Sequence, residues 1–265
     1  MNARHLVSNC ANFVKAGTNL VRGRQLNSLG ALYDPRYPPT KFFQRSLPAI
    51  HVRCILCGFP RTGTHWIKNV VEKACGKPTY DLFWKKPTPS DKDVCVLKIH
   101  ARNKRWARTK ALWLLPRHTF GGKYVYTYRD PRDAIISIYE MYREKKGLAD
   151  LEPEAFLRLY DPMRQYRWEI HSWVLKRHED VMRIRFEDLT ADPVEMFRRL
   201  LVYIGVSGSV DEALTGEKVA TFDSKKRPRG TAYGWKNAPP EYQCIIDSVN
   251  ETLGAEIEQL AYGDV

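Results

Sequence analysis

The run Val52-Arg53-Cys54-Ile55-Leu56-Cys57-Gly58 is apolar at all but one position before its closing glycine. Apolar continuity over so short a stretch, in place of alternation, is what a strand covered on both faces requires. Phe59-Pro60-Arg61-Thr62-Gly63-Thr64-His65-Trp66 follows, and Trp66, Ile67, Val70, Val71 and Ala74 then recur at helical spacing. Strand, glycine loop and helix is the arrangement in which loop N–H groups and a helix N-terminus converge on an anion. Gly58 and Gly63 keep the G-x-x-x-x-G spacing of triphosphate-binding loops, but Thr64-His65 stand where such a loop has Lys-Ser/Thr. Without that lysine and magnesium-binding hydroxyl, the loop suits a phosphate ester that needs no metal. Arg61 supplies charge there, and the hydroxyls of Thr62 and Thr64 supply donors.

Further strands are expected over residues 93–100, 122–130 and 181–189. Asp130-Pro131 is an N-cap with proline in the first turn, opening a helix to about residue 143. Helical patterning continues over 153–178, interrupted near Asp161-Pro162, then over 193–204 and 239–260. Strands alternating with helices imply an α/β fold, a parallel sheet with helices on both faces, and ligands at the carboxyl ends of the strands. With no internal repeat or low-complexity linker, residues 1–265 read as one domain. Residues 1–50 are an N-terminal extension packed on it, and the glycine- and cation-rich stretch 216–240 is a loop over the ligand.

The chain carries 43 Lys+Arg against 30 Asp+Glu, a formal charge of +13. Such a field attracts anions, or is simply a solvated basic surface. Nucleic acid is the competing partner, and no zinc-finger spacing or RNP-like motif supports it. Six cysteines show no framework spacing; Cys54 and Cys57 sit in an apolar strand and read as reduced core thiols, which points to a reducing cytoplasm. No apolar run approaches the roughly 18 residues of a membrane span. The first fifty residues hold one acid, Asp34, while Leu6, Cys10, Phe13, Val14, Leu20 and Val21 recur at helical spacing. A transit peptide has that composition; a helix packed on the domain is the preferred reading.

Two later stretches carry phosphate-suited residues. Arg129 ends a strand, and Ser137 lies two turns into the following helix, a pairing that suits a second phosphate. Residues 225–237, KKRPRGTAYGWKN, are cationic and contain Gly230 and Gly234. Together with the loop these stretches resemble the sulfotransferase family, which uses 3′-phosphoadenosine 5′-phosphosulfate (PAPS). Residues 59–66 match its Y-P-K-S-G-T-T-W signature, and Arg129 through Ser137 match R-N/D-P-x-D-x-x-x-S. Residues 228–236 match R-K-G-x-x-G-D-W-K more loosely.

The resemblance implies roles. Arg61, Thr62, Gly63 and Thr64 hold the 5′-phosphosulfate; Arg129, Ser137, Arg229 and Gly230 hold the 3′-phosphate. Trp66, Phe186 and Phe222 fall where the family packs aromatics around adenine. Lys98-Ile99-His100 resembles the family's K-T-H, making His100 the general base and Lys98, with Arg61, a stabiliser of developing charge. His65 lies within the cofactor-binding stretch, but without a strand-end context it and His118 read as structural. The implied co-substrate is PAPS, with no metal.

The departures are specific. Arg61 replaces the lysine of the cytosolic branch, and Pro228 takes the first cation of R-K-G, so Arg227 or Arg229 must compensate. The K-x-x-x-T-V-x-x-x-E dimer motif is absent after Trp235, which leaves oligomeric state open. The expected function is sulfuryl transfer to a hydroxyl or amine of a small molecule. The alternatives are a P-loop kinase and a non-catalytic phosphonucleotide or nucleic-acid binder. Two stretches bear on the acceptor: the cationic 101–110, with Arg105 and Arg108 opposite Trp106 and Trp113, suits an acidic one. Phe83, Trp84, Tyr139 and Tyr142 suit an apolar or aromatic one, or belong to the core.

Overall fold

Continuous hydrophobicity in the first strand has its counterpart in complete burial: Cys54, Ile55, Leu56 and Cys57 are all fully covered. This strand, β1 (Ile50–Gly58), lies at the centre of a sheet of five parallel strands in the order β2-β3-β1-β4-β5. The others are β2 (Thr79–Asp81), β3 (Asp93–Lys98), β4 (His118–Tyr128) and β5 (Val181–Arg185). The structure is a computed structural model and describes residues 50–81, 93–101, 104, 105, 107, 118–145, 148–215 and 232–262. The N-terminal extension to residue 49, Phe83, Trp84, Trp106, Arg108, Trp113 and residues 216–231 lie outside the described residues.

Each face of the sheet carries its own core. On one, Leu56, Val96, Val125 and Ile184 pack with Ile67 and Val71 of α1 (Thr64–Cys75). Phe197, Leu200 and Ile204 of α6 (Pro193–Ile204) complete that cluster. On the other, Ile55, Cys57, Leu97, Tyr124 and Tyr126 meet α2 (Pro131–Lys145), α3 (Pro153–Tyr160), α4 (Pro162–Ile170) and α8 (Gln243–Gln259). The short helices α5 (Phe186–Ala191) and α7 (Val210–Leu214) flank α6. The α/β sheet with helices on both faces is as expected. Among the described residues no helix is long and apolar enough to cross a membrane.

Several boundaries differ from the sequence reading, among them the second and third expected strands, which stop at Lys98 and Tyr128 and not at residues 100 and 130. The fourth expected strand stops at Arg185, because Phe186 opens α5 and the Glu187 carboxylate accepts the Asp130 N–H at 3.0 Å. β4 begins earlier than expected, at His118; its glycine pair, which reads as a strand start, is a bulge where the pairing shifts from Val52↔Phe120 to Cys54↔Lys123. A side chain at Gly121 would come within 3.1 Å of the Arg53 carbonyl, a tight contact, and Gly122 takes φ 79°, a conformation that favours glycine. The helical stretch after Pro153 breaks at Asp161, at φ 43°, as expected, but ends sooner than residue 178, in a π-helical turn, His171–Leu175. The last helix starts at Gln243, after a 3₁₀ turn at Pro240–Tyr242. β2 has no counterpart in the sequence reading; three residues are too few to show a period.

Candidate active site

The loop after β1 is built around two buried threonines. A side chain at Gly58 would sit 2.1 Å from the Thr127 hydroxyl and 2.8 Å from that of Thr62, so the turn requires glycine. Arg61 at φ 69° and Gly63 at φ 86° bracket Thr62 in the left-handed region. For arginine that conformation costs about 1 kcal/mol or more, the kind of strain that collects at functional loops. Thr62 departs from the expectation that its hydroxyl faces the ligand. It is fully buried, donating to the Phe59 carbonyl at 2.6 Å and sharing a 2.7 Å bond with Thr127. Its hydroxyl therefore holds the turn. Thr64 begins α1 almost fully buried, and the Ile67 N–H closes the first turn on the Gly63 carbonyl at 3.1 Å. The arginine side chain crosses to α2, where Arg61 Nε donates to Ser137 Oγ at 2.9 Å. Residues 76 apart in sequence, assigned to two different phosphates, are thus in direct contact.

Three residues meet at the end of β3, two positions before His100. The Asp81↔Lys98 register between β2 and β3 sets these side chains beside each other, and Lys98 Nζ donates to Asp81 Oδ2 at 2.6 Å. Both are buried, with side-chain exposures of 1% and 4%. The same ammonium lies 3.1 Å from His65 Nε2 on the first turn of α1. Burial, followed by the neighbouring Lys98 charge, pushes the His65 imidazole down to about 4. Burial also lowers Lys98, against the upward pull of Asp81. His100 stands two residues beyond Lys98, half-buried. The Ile99 N–H donates to the Leu56 carbonyl at 3.0 Å, and Trp173 Nε1 donates to the Ala101 carbonyl at 3.0 Å, fixing the backbone on either side of His100.

The end of β4 is a lattice of charges. Asp130 is fully buried and accepts from the Arg132 N–H at 2.9 Å, from Arg132 Nε and Nη2 at 3.0 and 2.8 Å, and from Trp235 Nε1 at 3.1 Å. The Arg132 guanidinium stacks 3.7 Å from the Trp235 ring centre and donates to the Tyr262 carbonyl at 2.6 Å. Asp133 accepts the Trp235 and Gly234 N–H groups at 2.8 and 3.3 Å and pairs with Arg129 at 3.3 Å. One carboxylate therefore ties the second phosphate-suited stretch to the third. Arg129 also lies 4.6 Å from the Phe186 ring centre, and that ring packs against the loop so tightly that a side chain at Gly63 would come within 2.9 Å.

Arg61, Ser137, Arg129 and Phe186 form one neighbourhood, and Lys98, His65 and His100 border it at the adjoining strand end. Trp66 is set apart, edge-on to Phe197 at 5.6 Å within the α1–α6 core. Phe222, Arg227, Arg229 and Gly230 lie outside the described residues. The sequence reading missed Asp81, Asp130, Arg132, Asp133 and Glu187, which position others. Asp130 and Asp133 carry a signal, since both are fixed letters of the quoted second motif. Asp81 carries none, because only strand pairing puts it beside Lys98.

The model of the sulfotransferase domain matches residues 52–238. The flavonol 4′-sulfotransferase of Flaveria chlorifolia is 26% identical over 196 residues, covering 65% of this chain and 61% of that protein. Cytosolic sulfotransferase 16 of Arabidopsis thaliana is 26% identical over 199 residues, covering 64% and 58%. The chain thus spans about three fifths of the length of these curated relatives. Among solved structures, a mouse sulfotransferase complexed with PAP superposes with a TM-score of 0.54 at 16% identity, covering 82% of this chain and 91% of that one. That likeness is one of fold. With the family model spanning most of the sheet and all three phosphate-suited stretches, the chain belongs to the sulfotransferase domain family.

Proposed function

We propose that the protein is a sulfotransferase that moves a sulfuryl group from PAPS to a hydroxyl or amine of a small-molecule acceptor. The observation that carries this reading is the Arg61–Ser137 hydrogen bond, which joins the loop to the second phosphate motif at 2.9 Å. Gly58 and Gly63 add a cradle that any side chain would fill. PAPS supplies a sulfuryl group already bonded to a good phosphate leaving group, which is why no metal is needed to activate it. Arg61, Gly63 and Thr64 would hold its 5′ end, and Arg129 and Ser137 its 3′-phosphate, with Arg229 and Gly230 from the third motif. Phe186 lies against both Arg129 and the loop, a place suited to a flat base. Trp66 and Phe222 keep their assignment to adenine only through the resemblance.

His100 accepts the acceptor's proton as its oxygen or nitrogen attacks, and the Lys98 ammonium and Arg61 guanidinium oppose the negative charge that develops. A triphosphate kinase fits less well: Thr64 and His65 stand where the loop would need its lysine and its magnesium-binding hydroxyl, and His65 faces Lys98. The relatives' names point to flavonols as a first acceptor class to try, and we extend the reading to one domain working in the cytoplasm without nucleic acid.

The experiment pairs calorimetry with turnover. Wild-type protein should bind 3′,5′-ADP without magnesium, and ATP–Mg²⁺ should not compete. His100→Ala should keep that binding while turnover with a weakly acidic alcohol falls by roughly 10²–10⁴-fold, the contribution of a positioned base. A variant that binds nucleotide and turns over at near wild-type rate removes His100 from the mechanism. Binding of ATP–Mg²⁺ alone would favour the kinase.

A further inference from the structure

Lys98 carries its charge into a place with almost no water. Its side chain is 1% exposed, and the carboxylate beside it is 4% exposed. A buried ion pair seldom adds net stability, because desolvating two charges costs about what their attraction returns; well-packed apolar residues of the same volume do as well or better. What such a pair does supply is a charge at a fixed point. The charged and titratable groups facing Lys98 are Asp81 from β2, His65 and Lys68 from α1, and the Cys57 thiol from β1. Asp81 opposes burial, and Lys68 adds to it.

The chemistry of these contacts also assigns a tautomer. An ammonium has three N–H donors and no acceptor. With Lys98 charged against Asp81 at 2.6 Å, the His65 Nε2 at 3.1 Å must accept. The imidazole is neutral, held down to about 4 by burial and by Lys98, so its one proton sits on Nδ1. Asp81 and His65 thus take two of the three ammonium donors from one side, their acceptor atoms 3.8 Å apart, which leaves the third directed away from both. Lys98 is two residues before His100 on the same strand end, and His65 is one residue into the helix that follows the glycine loop.

We propose that Asp81 is a positioning residue for sulfuryl transfer, acting with His65 as the Nδ1–H tautomer to keep the Lys98 ammonium charged and aimed toward the end of β3. The inference rests on the sulfotransferase reading for what the ammonium acts upon, and on the geometry alone for how it is held. Removing the carboxylate with Asp81→Asn leaves burial and Lys68 unopposed, so Lys98 gives up its proton at lower pH. The ratio of variant to wild-type turnover should then fall at least tenfold between pH 6 and pH 8.5, while affinity for 3′,5′-ADP changes less than about threefold. Asp81→Glu, which restores the carboxylate, should flatten that ratio. A merely structural Asp81 would lower turnover by the same factor at every pH, and that result overturns the proposal.

Two measurements need no acceptor. In ¹⁵N-histidine spectra of the wild type, His65 should stay neutral and protonated on Nδ1 from pH 5 to pH 8. Protonation on Nε2, or titration near 6.5, overturns the arrangement even if Asp81→Asn fails to fold. Failure of the sulfotransferase reading itself would look different: no binding of 3′,5′-ADP, with the His65 spectrum as expected.

Discussion

The two strand ends that flank the glycine loop both bury carboxylates against cations, yet they are built from different cations. At the end of β4, Asp130 and Asp133 face the nearby Arg132 and Arg129, and further ties run to distant elements: Trp235, Gly234, Tyr262 and Glu187 join through them. At the end of β3, Asp81 faces a lysine and a histidine, and these contacts tie β2, β3 and α1. Arginine keeps its proton under all working conditions, whereas buried lysine and histidine change charge when a neighbour changes. On the proposed reading, the first side is a framework that would present fixed charge to a phosphate, and the second is where protonation states would be set for sulfuryl transfer.

The comparison breaks most readily at Asp130. Asp130→Ala leaves a buried guanidinium and an indole N–H without their acceptor, and should cost about 3–5 kcal/mol in urea unfolding. Asp81→Asn should cost clearly less, because Lys98 can relieve its burial by losing a proton and Arg132 cannot. Equal losses at the two sites would erase the distinction. Next in size is Arg129→Ala, which should weaken 3′,5′-ADP by about 1.5–3 kcal/mol and 5′-AMP by much less, since only the former carries the phosphate this side is built to hold. Equal weakening of the two nucleotides in calorimetry would take that phosphate away from Arg129.

The smallest effect is expected at the opposite end of β3, away from both sides. Asp93 pairs with Arg53 at 2.8 Å and Lys77 at 2.5 Å, and the Arg53 hydrogen bond pulls its carboxyl down to about 2. A carboxyl lowered on folding adds stability above its unfolded value near 3.8 and loses it as pH falls through the folded value. The pair is about a third exposed, so Asp93→Asn should cost only about 0.5–1 kcal/mol at pH 6. The gap between variant and wild type should narrow at pH 3. A gap that widens on acidification would reverse the assignment.

Much of this was legible along the chain. The apolar run into Gly58 marks the central strand, and the sites follow the carboxyl ends of β1, β3, β4 and β5 as a parallel sheet demands. Arg61, Arg129 and Ser137, named from their motifs, and Phe186, named from the resemblance, come together in space. The role of Thr62 was misread because a threonine in a glycine loop has the same letter whether its hydroxyl faces a ligand or Thr127. For Trp66 the structure shows an edge contact with Phe197, and its assignment to adenine rests on the resemblance.

What the sequence determined by itself is local: which runs form strands, which glycine loop follows the central one, and which residues carry charge beside it. Backbone sterics and periodicity act over a few residues, so they are written in a few residues. The tertiary structure alone decided which charges meet. Asp81 reaches Lys98 because β2 pairs with β3 in one register, and Trp235 reaches Asp130 across 105 residues because the chain returns beside α2. A hydrogen bond depends on distance in space and leaves no period in the chain, so the protonation of His65 and Lys98 follows from contacts that no run of letters records.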